Sequence, residues 1–261
     1  MMKNLRKYGS WPYNVAVVHG GPGAPGEMAP VARELSAVRG VLEPLQTATT
    51  LEGQVEELKA ALMKEGDPPV TLIGFSWGAM LSFILAGRHP SLARKLILIG
   101  SAPYEEQYAA GITETRLKRM GEEERHEALA LMKALDGPAV ADKNALMARL
   151  GLLISRADSY DPLPHEDETL ECQYDMFRIV WDEARDLRSG GKLLAIGKRI
   201  RCPVVAVHGD YDPHPWKGVM EPLARTLKDF RLVLLEKCGH RPWIERSARD
   251  RFYTILYNEA R

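Results

Sequence analysis

The chain has 261 residues, 45% hydrophobic and 27% charged, which is enough apolar material for a sizeable core and excludes disorder over its whole length. Lys+Arg and Asp+Glu are both 35, and neither sign gathers in a long block, so no nucleic-acid partner is expected. The longest apolar runs, such as Leu96 to Ile99 and Leu232 to Leu235, fall far short of the roughly 18 residues of a membrane span, and Met1 to Tyr13 is not followed by a signal-peptide core. A cytoplasmic protein with no membrane span is the expectation. Cys172, Cys202 and Cys238, odd in number and widely spaced, suit reduced thiols rather than a disulfide framework or a zinc site.

Along the chain, short continuous apolar runs alternate with helical patterns, and each run stops at Gly, Pro or a polar turn. Strands are expected at Asn14 to Val18, Val41 to Leu45, Val70 to Ile73, Lys95 to Ile99, Val204 to Val207 and Leu232 to Leu235. Helices are expected at Met28 to Ala37, Leu51 to Lys64, Ala79 to Arg88, Trp216 to Leu227 and Ser247 to Asn258, the second starting at Thr50. This alternation predicts an α/β fold, a mostly parallel sheet of about six strands flanked by helices. From about Tyr104 to Lys198 the alternation gives way to helical periodicity, through Leu117, Leu129 and Leu135, then Leu146, Leu150 and Leu153, then Met176, Phe177, Val180 and Trp181. The expected organisation is a core of residues 1–103 and 199–261 with an all-helical insertion, 104–198, acting as a lid. Within it Tyr174, Phe177 and Trp181 are candidates for the substrate pocket.

Gly74-Phe75-Ser76-Trp77-Gly78 stands directly after one predicted strand and directly before an apolar helix. A serine on that sharp turn is held in a strained conformation with its hydroxyl above the sheet, and the flanking glycines permit the close strand-to-helix approach. Ser76 is therefore the candidate nucleophile. His19-Gly20-Gly21-Pro22-Gly23 follows the first predicted strand, and its glycines can aim backbone N–H groups at a developing oxyanion; Gly21 and Trp77 are the candidate donors. His19 itself is read as a buried, hydrogen-bonded strand-end histidine.

A serine hydroxyl needs a base, and the base needs an orienting group. Two loops in the last third offer both: His208-Gly209-Asp210-Tyr211-Asp212 after one strand, and Cys238-Gly239-His240 after the next. Ser76, Asp212 and His240 occur in the chain order of a triad built on an open α/β sheet. Once 104–198 is set aside, Ser76 and Asp212 are separated by about one helix, one strand and their loops. His89, His208 and His214 are given structural roles.

With these motifs the chain resembles the α/β-hydrolase superfamily over residues 14–103 and 199–258. The resemblance implies a nucleophile at Ser76, a base at His240, and an acid at Asp212 rather than Asp210, because the family's acid follows the glycine matching Gly209 by three residues. It implies a serine hydrolase that needs no cofactor and no metal, forms an acyl-enzyme, and cleaves an ester, thioester or amide of a small-molecule substrate. His19 to Gly23 also resembles the proline iminopeptidase branch, but the hairpin that precedes this motif in that branch has little room here, and Leu45 to Thr50 departs from its pattern. The alternatives are an aminopeptidase of that kind, a C–C bond hydrolase using the same three residues, and a non-catalytic ligand-binding protein on the same fold.

Overall fold

A computed structural model describes residues 4–137, 142–166 and 168–260. The expected segments 1–103, 104–198 and 199–261 extend beyond these only at 1–3, 138–141, 167 and 261, which lie outside the described residues. The strands are β1 (Leu5–Tyr8), β2 (Tyr13–Val18), β3 (Gly40–Pro44), β4 (Val70–Phe75), β5 (Ala93–Ile99), β6 (Val204–Gly209) and β7 (Phe230–Leu235). They form one seven-stranded sheet in the order β1-β3-β2-β4-β5-β6-β7. Every neighbouring pair is parallel except β1 with β3, whose antiparallel register sets Leu5 opposite Pro44 and Tyr8 opposite Val41.

The six expected strands are all present, and the sheet gains a seventh, β1. Leu-Arg-Lys-Tyr carries no apolar run because β1 is an edge strand whose side chains are only partly covered.

Alternate residues of the central strands feed two cores, as the two-residue period of a strand requires. Ala16, Val18, Leu72, Leu96, Leu98 and Ala206 pack on one face, against α2 (Leu51–Glu65), α3 (Trp77–Arg88) and α9 (Lys217–Thr226). Val15, Val17, Ile73, Ile97, Ile99 and Val207 pack on the other, against α1 (Ala29–Leu35) and α10 (Arg249–Glu259). Helix α2 starts at the expected cap: Thr50 Oγ1 accepts the Gly53 N–H at 3.1 Å.

Between β5 and β6 the chain forms α4 (Ile112–Arg119), α5 (Glu122–Asp136), α6 (Lys143–Ala157), α7 (Tyr174–Ser189) and α8 (Lys192–Gly197). Helices α4 to α6 share a small core of Met120, Ala128, Leu153 and Ala157. Helices α7 and α8 instead join the main core through Val180, Ala184 and Leu193. Glu183 of α7 also accepts the Leu51 N–H at 2.6 Å, placing a carboxylate on the positive end of α2. No helix among the described residues is long and apolar enough to cross a membrane. Cys202 and Cys238 are free thiols.

Candidate active site

Parallel strands end on a common edge, and each motif singled out in the sequence lies there: 19–23 after β2, Ser76 after β4, Asp210 to Asp212 after β6 and 238–240 after β7. Ser76 has φ 50° and ψ −112°, a conformation that costs a non-glycine residue energy and is kept only because the surroundings enforce it. Its N–H donates to the Ile99 carbonyl at 2.9 Å, tying the turn to the end of β5. A Cβ on Gly74 would fall 2.2 Å from the Gly78 carbonyl oxygen, and one on Gly78 would fall 2.2 Å from that of Val18. Only glycine at both ends lets strand, turn and helix approach this closely.

His240 is brought to the same place. Its ring packs on Phe75, the residue before Ser76, with centroids 4.7 Å apart. It also lies over Gly100, where an added Cβ would sit 3.0 Å from His240 Nδ1. Asp212, with its carboxylate fully buried, accepts from His240 Nδ1 through Oδ2 at 2.7 Å. Its Oδ1 accepts both the backbone N–H and Nδ1 of His214, each at 2.9 Å. Burial opposes ionisation of Asp212, yet His240, His208 and His214 outweigh it and hold the carboxyl well below the usual range. Burial likewise pulls the His240 imidazole down, but the Asp212 charge and hydrogen bond prevail and its pKa is raised. Asp210 does different work: its Oδ1 accepts the Cys238 N–H at 3.1 Å.

Gly21 has φ +35° in the glycine loop. The neighbouring Gly20 N–H is occupied by Glu27 Oε1 at 2.7 Å. Trp77 opens α3, where backbone N–H groups have no partner within the helix and the dipole is positive. Its indole is buried, and Nε1 donates to Gln54 Oε1 at 2.8 Å. His19 is fully buried between the Gly20 carbonyl on Nδ1 and the Gln46 N–H on Nε2, and burial pushes its pKa down to about 4.

Of the pocket candidates, Trp181 meets Trp77 edge to face at 6.2 Å and stacks on Phe177 at 6.3 Å. Tyr174 is turned into the helical segment, its hydroxyl donating to the Leu135 carbonyl at 2.9 Å. The chain just before α7 runs over the glycine loop, the Gln173 N–H donating to Gly23 O at 2.8 Å.

Three residues of this region escaped the sequence reading. His214, given a structural role, shares Asp212 with His240. The Asp158 carbonyl accepts the His240 N–H at 2.8 Å. The buried Glu245 carboxylate accepts the N–H of Gly239 at 3.0 Å and those of Tyr160 and Asp161 at 2.9 Å each. The only available signal was a carboxylate directly after the short apolar run Pro242 to Ile244.

Asp212, His214 and His240 are also the one group of His, Cys, Asp and Glu among the described residues close enough to hold a metal, their ligand atoms lying within 4.8 Å. The 2.7 and 2.9 Å contacts to Asp212 are hydrogen-bond distances with a proton between the atoms, the arrangement of oriented imidazoles.

Known proteins share this framework. The pimeloyl-[acyl-carrier protein] methyl ester esterase of Neisseria meningitidis serogroup A is 25% identical over 196 residues, 73% of this chain and 57% of that protein, so the chain spans under two thirds of its length. The enzyme of that name from Aromatoleum aromaticum is 25% identical over 201 residues, 73% of this chain and 74% of that one. Among solved structures, VinJ superposes with a TM-score of 0.66 at 18% identity, over 97% of this chain and 93% of VinJ. A putative lipase from Acinetobacter baumannii AYE does so with a TM-score of 0.65 at 17% identity, over 99% and 89%. The family model described as alpha/beta hydrolase fold matches residues 43–247, well over half of the sequence. The chain belongs to the alpha/beta hydrolase fold family.

Proposed function

We propose that this protein hydrolyses an ester of a small-molecule acid through Ser76, His240 and Asp212. The observation that carries this reading is the 2.7 Å bond from His240 Nδ1 to the buried Asp212 carboxylate, beside a serine held at φ 50°. With Nδ1 donating to Asp212, the neutral ring keeps its lone pair on Nε2, the atom that must accept the Ser76 proton. Ser76 Oγ attacks the ester carbonyl, and the resulting oxyanion is received by the N–H groups of Trp77 and Gly21. The protonated His240 hands its proton to the departing alkoxide, leaving an acyl-serine. Water, deprotonated by the same Nε2, then releases the acid and restores Ser76.

Ester hydrolysis is favoured over the amide and C–C readings by the relatives, which carry the name methyl ester esterase. The helical segment 104–198 roofs the site in this reading. The contact of Gln173 with the glycine loop and the aromatic line Trp77, Trp181 and Phe177 support a water-poor space for an apolar acyl chain.

A fluorophosphonate probe should label the protein stoichiometrically, and Ser76→Ala should abolish labelling. In a screen of p-nitrophenyl esters of increasing chain length alongside aminoacyl arylamides, the esters should be cleaved. An unlabelled protein would favour the ligand-binding alternative, and cleavage of the arylamides alone would favour the aminopeptidase.

A further inference from the structure

The buried carboxylate of Asp212 carries more than a triad requires. His240 Nδ1 takes one oxygen and His214 Nδ1 the other, at 2.7 and 2.9 Å. Asp212 is ionised and accepts only, so both neutral rings carry their proton on Nδ1 and both leave a lone pair on Nε2. The rings lie 4.6 Å apart between centroids and tilted by only 33°, so they run side by side from the carboxylate edge. His240 Nε2 has an assigned task, whereas His214 Nε2 makes no hydrogen bond among the described residues.

Support for Asp212 does not by itself account for an imidazole here. The backbone N–H of His214 already donates to Asp212 Oδ1 at 2.9 Å, so a residue with no polar side chain would still brace that oxygen. A carboxamide of asparagine could supply the second donor. What the imidazole adds is an acceptor on its far edge. Burial pushes its pKa down to about 4 against the pull of Asp212, so that acceptor persists at neutral pH and the ring does not compete with His240 for the serine proton. His208 fixes the segment from the other side: its Nε2 donates to the His214 carbonyl at 2.8 Å.

We propose that His214 is a specificity-determining residue whose Nε2 accepts a hydrogen bond from a hydroxyl or amine on the substrate's leaving group. The leaving-group side follows from the pairing. His240 Nε2 must reach the departing oxygen to protonate it, and His214 stands next to His240. The substrate class is then an ester of a polyol or amino alcohol, whose leaving group carries an O–H or N–H close to the scissile oxygen. This inference rests on the ester-hydrolase reading above.

The test compares glycerol and ethyl monoesters of the acyl chain that the p-nitrophenyl screen favours, a pair that differs in the leaving group alone. Wild type should prefer the glycerol ester in kcat/KM. His214→Asn keeps a donor near the Nδ1 position and removes the Nε2 acceptor. It should slow both substrates, and slow the glycerol ester by a further three- to tenfold or so, the worth of one neutral hydrogen bond. His214→Phe, which keeps the ring volume, should erase the preference as well. An unchanged glycerol-to-ethyl ratio in both variants would overturn the proposal while leaving the hydrolase intact. Absence of fluorophosphonate labelling in wild type would instead overturn the underlying reading.

Discussion

Asp158 and His240 meet backbone to backbone, the carbonyl just past the end of α6 accepting the N–H of the candidate base at 2.8 Å. Asp158 is itself held by Arg116 of α4, whose guanidinium grips the carboxylate with Nε at 2.8 Å and Nη2 at 2.7 Å. Arg116 is 17% exposed and Asp158 5% at their side chains, so removing one partner strands a charge in a dry place. Arg116→Leu should cost about 3 kcal/mol in a urea titration, and the double variant with Asp158→Leu should recover most of that loss. Since the same residue seats His240, kcat should fall in the single variant too. Unchanged stability and turnover would show that the pair is hydrated and idle.

The two aspartates after β6 separate by function. Asp212→Asn replaces the acceptor facing His240 Nδ1 with an amide that can donate, favouring the wrong tautomer, and kcat should fall on the order of 10⁴-fold. Asp210→Ala loses one bond to the Cys238 N–H, and should cost about 1 kcal/mol of stability with kcat within tenfold of wild type. The reverse ranking in steady-state kinetics would move the acid to Asp210.

Because the Asp212 charge overrides burial, kcat/KM should rise with pH through a midpoint above the 6.5 of an ordinary histidine. Stability runs the other way. A raised folded-state pKa contributes stabilisation that is complete below 6.5 and fades as pH climbs through the raised value, so the His240–Asp212 pair is strongest where the enzyme is least active. A midpoint below 6.5 in a pH–rate profile would contradict this.

The architecture was legible wherever chemistry is local. Continuous apolar runs marked five largely buried strands and the partly covered edge strand β7, and glycines with Ser76, Asp212 and His240 marked the loops at their ends. Edge strand β1 was not legible, because its pairing with β3 comes from register rather than from its own side chains. Leu129 fits the helical periodicity of α5 yet is 45% exposed, since α5 packs on α6 through a narrower stripe. Asp158 acts on the His240 loop, and Glu245 on Tyr160 and Asp161, across stretches of chain too long for local pattern to announce. His214 stood in view beside Asp212, but which atom it touches is a matter of ring placement.

His19 gives the fold an acid sensitivity of its own. A buried imidazole with its pKa pushed down to about 4 favours the folded state fully above 6.5 and loses that advantage as pH falls toward 4, about 3 kcal/mol in all. His19→Asn should flatten the decline in unfolding free energy between pH 7 and 4.5. Parallel declines in wild type and variant would place the acid sensitivity elsewhere.

Gln54 is fully buried, donating to the Ala48 carbonyl at 3.0 Å and accepting from the Trp77 indole at 2.8 Å. Gln54→Leu leaves both groups unpaired and should cost about 2 kcal/mol in a denaturant titration. A loss below a few tenths would mean that Trp77 finds another acceptor.

The seam between the end of α6 and the His240 loop is stitched from main-chain groups: His240 N–H to Asp158 O, Leu163 N–H to Ile244 O, Arg246 N–H to Asp161 O, with Glu245 gathering the N–H of Tyr160, Asp161 and Gly239. Gly239 has no room for a methyl group, its added Cβ falling 2.1 Å from Asp158 O. Such a seam is nearly blind to the side chains it runs beneath. The bond to the His240 N–H therefore calls for no particular side chain at Ser159 or Tyr160, whose own partners are the Ser155 carbonyl and the Tyr211 ring.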